Sequence, residues 1–190
     1  MRRVVFGMNV SLDGFVADAS GDLGWSLPSD ELFEWWLQQE HASTLSLYGR
    51  KVWEDMSGYW PARAQERDVT PAQAEFARTF VSTPKVVLSS TLTSVGWGAR
   101  LVSGDAVAEI ARLRAEDGGP MKLGGATLGA AVVKAGLVDE LVVVTHPVLL
   151  GDGLPFLPAL DSPMALTLLE TRSFPGGVVL SRYATRREGS

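Results

Sequence analysis

Two short segments carry the residue types that hold anionic ligands: Tyr48-Gly49-Arg50-Lys51 and Leu123-Gly124-Gly125-Ala126-Thr127. In each, a compact apolar run passes through glycine into a stretch with helical periodicity, the layout of a strand-to-helix junction. A helix begins with amide N–H groups that have no partner inside it, and its dipole makes that end electropositive, so phosphate is a favoured ligand there. Glycine removes the Cβ that would hold a ligand off the backbone, and Arg50 and Lys51 add full positive charge to the first junction. Two such junctions suit a dinucleotide, although either glycine segment taken alone is equally consistent with a plain tight turn.

Other chemistries are poorly represented. Residues 124–129 read G-G-A-T-L-G rather than G-x-G-x-x-G, and there is no Walker sequence. The chain has no cysteine, which excludes disulfides, thiolate metal sites and thiol nucleophiles. His41 and His146 stand far apart without partners at metal-ligand spacing, so no metal is expected, and a serine hydrolase lacks its G-x-S-x-G elbow. Asp30 follows a Gly/Asp-rich stretch at the start of a helix. By itself it is either a charge that complements the helix dipole or a carboxylate aimed into a pocket beside that stretch. The six tryptophans, Trp25, Trp35, Trp36, Trp53, Trp60 and Trp97, read as core or rim residues.

The elements that must position these residues follow from periodicity. Val4 to Val10 is a near-continuous apolar run, the pattern of a strand buried on both faces, and it ends at Ser11-Leu12-Asp13-Gly14. A loop then extends to Pro28. Ser29 caps a helix reaching about Glu40, with Leu32, Phe33, Trp36 and Leu37 at helical spacing. Leu45 to Tyr48 predicts a strand, Arg50 to about Met56 a helix followed by a loop, Pro71 to Phe80 a surface helix, and Lys85 to Ser89 a strand. Another strand precedes an amphipathic helix over Ala106 to Ala115, and Met121 to Leu123 forms a short strand. A helix from Gly124-Gly125 to about Ala135 is then capped by Gly136. Glu140 to Pro147 is a strand, and Leu166 to Thr171 with Val178 to Ala184 form a hairpin around Pro175-Gly176-Gly177. This alternation predicts an α/β three-layer domain over residues 1–190, its mixed central sheet largely parallel and closed by a C-terminal antiparallel hairpin.

Bulk properties agree. The 190 residues are 46% hydrophobic and 21% charged, enough for one good core. A net charge of -5 without a basic run argues against nucleic acid as a partner. No apolar stretch approaches the roughly 18 residues that span a bilayer, and the N-terminal run, interrupted by Asn9, does not form a signal peptide. The expected location is the cytoplasm, without a membrane partner.

Taken together, the motifs resemble the dihydrofolate reductase superfamily along nearly the whole chain. G-W-S-L-P-S-D at 24–30 is similar to its Trp-x-Leu-Pro-x-Asp element, and G-R-K-V-W-E at 49–54 to its Gly-Arg-x-Thr-Trp-Glu element. V-V-L-S-S at 86–90, L-G-G-A at 123–126 and V-T-H-P at 144–147 follow in the family's order. S-L-D-G at 11–14 and P-V-L-L-G-D-G at 147–153 resemble the reductase domains of riboflavin biosynthesis. In the same direction, Gly129 stands where folate enzymes usually have Tyr, and Pro84 falls near the position of their tail-binding arginine. The Trp25 to Asp30 element is closer to the folate enzymes, and a stand-alone reductase-like domain without a deaminase ahead of it is expected.

The resemblance implies NADPH as cofactor, hydride transfer to a pyrimidine-type heterocycle and a homodimer. The implied activity is most like 5-amino-6-(5-phosphoribosylamino)uracil reductase. Dihydrofolate reduction and a non-catalytic NADP-binding protein remain alternatives, the latter because Val52 replaces the usual Thr and Gly129 the usual Tyr. Residue by residue, Asp30 corresponds to the substrate-anchoring carboxylate, Thr145 to the strand threonine linked to it, and Trp25 to the loop tryptophan. Asn9 and Val16 would flank the nicotinamide. Gly49, Arg50, Lys51 and Val52, with Ser89, Ser90 and Thr91, correspond to phosphate and ribose contacts. Gly124, Gly125, Ala126, Thr127 and Leu128 correspond to the pyrophosphate turn, where the family has a cis peptide between the glycines.

Overall fold

The structure is a computed structural model describing residues 1–66 and 68–185. Its first strand, β1 (Val4–Ser11), alternates its side chains between two apolar layers. Val4, Phe6 and Val10 join one core cluster, and Val5 packs against another. Five further strands run parallel to it: β3 (Leu45–Gly49), β4 (Lys85–Leu88), β5 (Arg100–Val102), β6 (Met121–Gly124) and β7 (Glu140–His146). The hairpin of β9 (Leu166–Phe174) and β10 (Val178–Thr185) adds two antiparallel strands, giving the order β5-β4-β3-β6-β1-β7-β10-β9. Two small strands absent from the sequence reading, β2 (Phe15–Asp18) and β8 (Gly153–Pro155), pair antiparallel beside this sheet. Gly153 has φ of +153°, and a Cβ there would overlap the Ala17 carbonyl, so this close approach requires glycine.

Helices cover both faces. On one lie α1 (Asp30–Ala42), α2 (Arg50–Arg63) and α3 (Pro71–Ser82). Leu32 and Trp35 of α1 pack on Val142, Val144 and Leu180, while Trp53, Phe76 and Phe80 pack on Tyr48 and Val87. On the other face, Ile110 and Leu113 of α4 (Ala106–Ala115) and Val132 and Val133 of α5 (Ala126–Lys134) close over Phe6, Leu47 and Leu123. The three layers and the mixed, largely parallel sheet are those expected from the sequence.

Local signals explain most boundaries. The Ser29 hydroxyl accepts the Leu32 amide, and Thr70 forms a reciprocal capping box with Gln73 ahead of Pro71. The Asp105 carboxylate accepts two amides at the start of α4, and Gly136, at φ of +65°, follows α5. Two expectations need correction. The second helix does not end near Met56 but continues through Pro61 to Arg63, because Pro61 is buried and Trp60 packs against Phe33 and Phe76 at ring-centroid distances of 5.9 and 4.3 Å. That packing outweighs a proline cost of about 3 kcal/mol. The third helix is less superficial than expected, with Phe76, Ala77 and Phe80 buried.

Candidate functional site

Beyond the carboxyl ends of β3, β4 and β6 lies a cavity of about 540 Å³, reached by Gly49, Leu88 and Gly125. This is where open α/β sheets hold ligands. Both glycine junctions converge on it. A Cβ built on Gly125 would sit 3.7 Å from the Gly49 nitrogen, and one on Gly49 would sit 3.5 Å from Leu128 Cβ, so the two turns lie against each other. The other three helices begin with side-chain caps from Ser29, Thr70 and Asp105. By contrast, α2 and α5 begin at Gly49 and Gly125 with no side-chain cap. Their first-turn amides are therefore left for a ligand.

Val16, Gly49, Arg50, Lys51 and Val52 line this cavity, as do Gly125, Ala126, Thr127 and Leu128. Gly124 sits just behind, at the end of β6, where a Cβ would crowd the Tyr48 ring at 2.9 Å. Among the described residues there is no cis peptide, so the expected cis bond between Gly124 and Gly125 is not found. The backbone reverses instead through Gly125, at φ of +108° and ψ of 123°. Arg50 and Lys51 are exposed and form i,i+4 ion pairs with Glu54 at 3.1 Å and Asp55 at 2.6 Å. Such pairs contribute little in water and leave the cations able to meet a phosphate. Ser89, Ser90 and Thr91 immediately follow the lining residue Leu88. There the Ser89 hydroxyl accepts the Thr91 and Leu92 amides and shapes the turn.

Asn9 is placed differently from its expected role. Its side-chain amide donates to the Ser26 carbonyl at 3.4 Å and accepts from Trp36 Nε1 at 3.3 Å, so it ties β1 to α1 and the 24–26 turn while neighbouring Met8 faces the cavity. Trp25 donates to the Asp22 carbonyl, and its ring meets the edge of His146 at 5.6 Å. His146 is buried, its Nε2 has no partner among the described residues, and burial lowers its pKa, favouring the neutral ring.

Asp30 is exposed and lines a second space, a cleft of about 790 Å³ between the start of α1, the second half of α2 and the start of α3. Phe33, Glu34, Tyr59 and Trp60 share it, and none of these four was singled out as a site residue from the sequence. The i,i+4 spacing of Asp30 and Glu34 was the available signal for Glu34. Strand alternation puts Thr145 on the β7 face of Leu141 and Val143, away from α1, and no hydrogen bond links it to Asp30 among the described residues. The structure thus separates Asp30 and Thr145. It also places the two spaces end to end along α2, with Asp55 in the first and Tyr59 in the second, one helical turn or about 6 Å apart.

The two motifs that resemble riboflavin reductases touch each other. Asp13 accepts the Ser11 hydroxyl at 2.6 Å and the Gly151 amide at 2.7 Å, and these bonds hold its carboxyl below the usual range. They fix the β1–β2 turn to the loop leading to β8. Among the described residues, no cluster of metal-ligating side chains occurs and no helix is long and apolar enough to cross a membrane.

Comparisons with known proteins agree with this architecture. Residues 2–180 match the RibD C-terminal domain family. Two Bacillus subtilis (strain 168) proteins are similar over 184 residues: YyaP at 31% identity, spanning 96% of this chain and 94% of its own, and YwjB at 28%, spanning 94% and 96%. A solved structure from Shewanella sp. PV-4, named for riboflavin biosynthesis, superposes with a TM-score of 0.75 at 26% identity, covering 98% of this chain and all of the other. The Enterococcus faecalis dihydrofolate reductase complexed with NADP(H) superposes at 0.62 with 15% identity over 97% of each chain, and so shares the fold. The Thermotoga maritima deaminase/5-amino-6-(5-phosphoribosylamino)uracil reductase superposes at 0.66 with 16% identity, covering 97% of this chain and 57% of its own. With the dihydrofolate reductase-like fold in place and nearly the full length matched, the chain belongs to the RibD C-terminal domain family.

Proposed function

We propose that this protein is an NADPH-dependent oxidoreductase acting, as one domain, on a pyrimidine-type heterocycle. The reaction of the 5-amino-6-(5-phosphoribosylamino)uracil reductases is the nearest named chemistry. The observation that carries the reading is the pair of uncapped helix starts, α2 at Gly49 and α5 at Gly125, facing one cavity while every other α-helix is capped by a side chain. Bound there, NADPH would supply the hydride. The chain's own contribution is to hold the cofactor's phosphates on the amides of Arg50 to Val52 and Ala126 to Leu128, with Arg50, Lys51 and the Ser89 to Thr91 turn as further polar partners. Val16 and Met8 provide an apolar wall suited to an uncharged ring.

Asp30 is the proposed substrate anchor. A carboxylate accepts N–H bonds from an amino-pyrimidine edge, and its cleft adjoins the glycine cavity along α2. Thr145, separated from it, is assigned only a supporting position on β7.

Thermal shift tests the cofactor: NADPH should raise the melting temperature, and NADH should do so less, since binding to the native state stabilises it. No response to either would refute the cofactor assignment. Asp30→Asn should leave NADPH binding intact and lower turnover by about a hundredfold or more. A mutant that loses stability but keeps its rate per folded molecule would reduce Asp30 to a helix-start charge.

We also propose a homodimer, located with its cofactor in the cytoplasm. The edge strand β9 exposes Leu166, Leu168 and Leu169, and antiparallel self-pairing about Thr171 would set Glu170 opposite Arg172. Sedimentation should show a dimer that Leu168→Lys dissociates. A monomer at all concentrations would overturn this assembly.

A further inference from the structure

One buried side chain touches both glycine turns. Tyr48 is the residue before Gly49, and its register partner on β6 is Gly124, the residue before Gly125. Its ring lies over Gly124, where a Cβ would come within 2.9 Å of Tyr48 Cδ1 and 3.0 Å of Cε1. Gly124 is not among the residues at positive φ, so its backbone accepts alanine, and the ring is what demands glycine. Gly125 is the reverse case: its φ is +108°, and a Cβ there would meet nothing closer than 3.6 Å. The second glycine serves the backbone, while the first makes room for Tyr48.

The ring has no space to move aside. Tyr48 is fully buried, with Trp53 at 6.3 Å and Phe80 at 6.2 Å between ring centroids. The Lys122 ammonium stands 5.5 Å from the ring centre, within reach of a cation–π contact, and is held in turn by its ion pair with buried Glu40. Ser46 and Lys122 act on the pKa of the Tyr48 hydroxyl, which burial raises, but neither meets it in hydrogen-bond geometry. Packing therefore fixes the ring, and loss of the hydroxyl would leave it in place.

We propose that Tyr48 is the positioning residue of the two turns: its ring occupies the space of the side chain that Gly124 lacks and so fixes how the start of α5 lies against the start of α2. The inference rests on the reading of these turns as phosphate sites. A ligand that bridges two helix starts depends on their spacing, so a small displacement of one against the other weakens it. Tyr48 touches no phosphate itself and acts through the backbone of Gly49 and Gly124.

The test is calorimetric titration of NADPH into the unaltered chain, Tyr48→Phe, Tyr48→Val, Gly124→Ala and the Tyr48→Val/Gly124→Ala double variant. Working well below each melting transition keeps lost stability alone from changing the dissociation constant, and Tyr48→Leu replaces Tyr48→Val if the latter does not fold. Tyr48→Val empties the space and Gly124→Ala overfills it, so each should weaken binding about tenfold, while the double variant recovers most of the loss. Tyr48→Phe should bind as the unaltered chain does. Single variants that bind normally, a double variant as weak as both losses combined, or Tyr48→Phe as weak as Tyr48→Val would each overturn the proposal. Inorganic pyrophosphate, titrated into the same samples, separates this role from the cofactor reading. The same pattern with pyrophosphate, but no NADPH binding, removes the cofactor and keeps the positioning role. NADPH binding that ignores the substitutions removes the positioning role alone. With NADPH unbound, pyrophosphate that fails to bind or ignores the substitutions removes both.

Discussion

Gly129→Ala probes the junction of core and cofactor cavity. Gly129 is buried in α5, and a Cβ at this position would overlap the ring of Phe6. Phe6 is fully buried and stacked on Phe156 at 4.7 Å, so it has nowhere to swing. Overpacking of this kind costs about 1–3 kcal/mol, and contact with three ring atoms argues for the upper end. Replacing a helical glycine by alanine returns about 1 kcal/mol, leaving a net loss of about 2 kcal/mol. For a domain of this size that lowers the melting temperature by about 4–8 °C. The strain should also push the start of α5 away from Gly49 and weaken NADPH binding. Calorimetric melts of the wild type, Gly129→Ala, Phe6→Leu and the double variant measure the coupling. Because leucine leaves room for the new methyl, the double variant should be more stable than the sum of the singles by about 2–3 kcal/mol. Additive losses, or a Gly129→Ala variant as stable as the parent, would refute the steric account.

Two further predictions concern buried groups. Lys122 and Glu40 form an ion pair between β6 and α1, with Glu40 almost entirely buried. Lys122→Met strands that carboxylate and should cost about 3–5 kcal/mol in urea melts, and adding Glu40→Leu should restore most of it. A loss below about 1 kcal/mol would show the pair to be energetically idle. His146 has a folded-state pKa below its usual 6.5 because it is buried. The unfolded chain therefore takes up that proton first as pH falls, and the stability held above about 6.5 declines as pH falls below it. Replacement by Phe should flatten that segment of the stability profile, and an unchanged slope would exclude His146 as its source.

The legible parts of this fold are those set by local chemistry. Ser29, Pro71 and Gly136 mark helix boundaries because capping and φ preferences act over a few residues. Near-continuous apolar, β-branched runs marked the strands, and the two glycine junctions were visible as places where a ligand could approach the backbone. Tertiary context decided the rest. The pairing of β2 with β8 joins strands of four and three residues from opposite ends of the chain, too short for periodicity to register. The helix expected to end near Met56 runs on to Arg63, because Trp60, wedged between Phe33 and Phe76, carries α2 onward. The departure at Gly129 was plain in the sequence, while its cause, the ring of Phe6, belongs to another layer. Likewise Asp30 and Thr145 were expected to meet, and strand alternation with the start of α1 sets them apart.

In the proposed NADPH site, two uncapped helix starts together hold the phosphates. The most direct measurement of this is an amide NMR titration of the labelled protein with NADPH. The largest shifts should fall on Arg50 to Val52 and Ala126 to Leu128, the first-turn donors of α2 and α5, while the capped starts at Glu31 to Phe33 and Ala72 to Ala74 stay in place. Saturable binding with shifts confined to other elements, or no shifts at either glycine turn, would contradict the account.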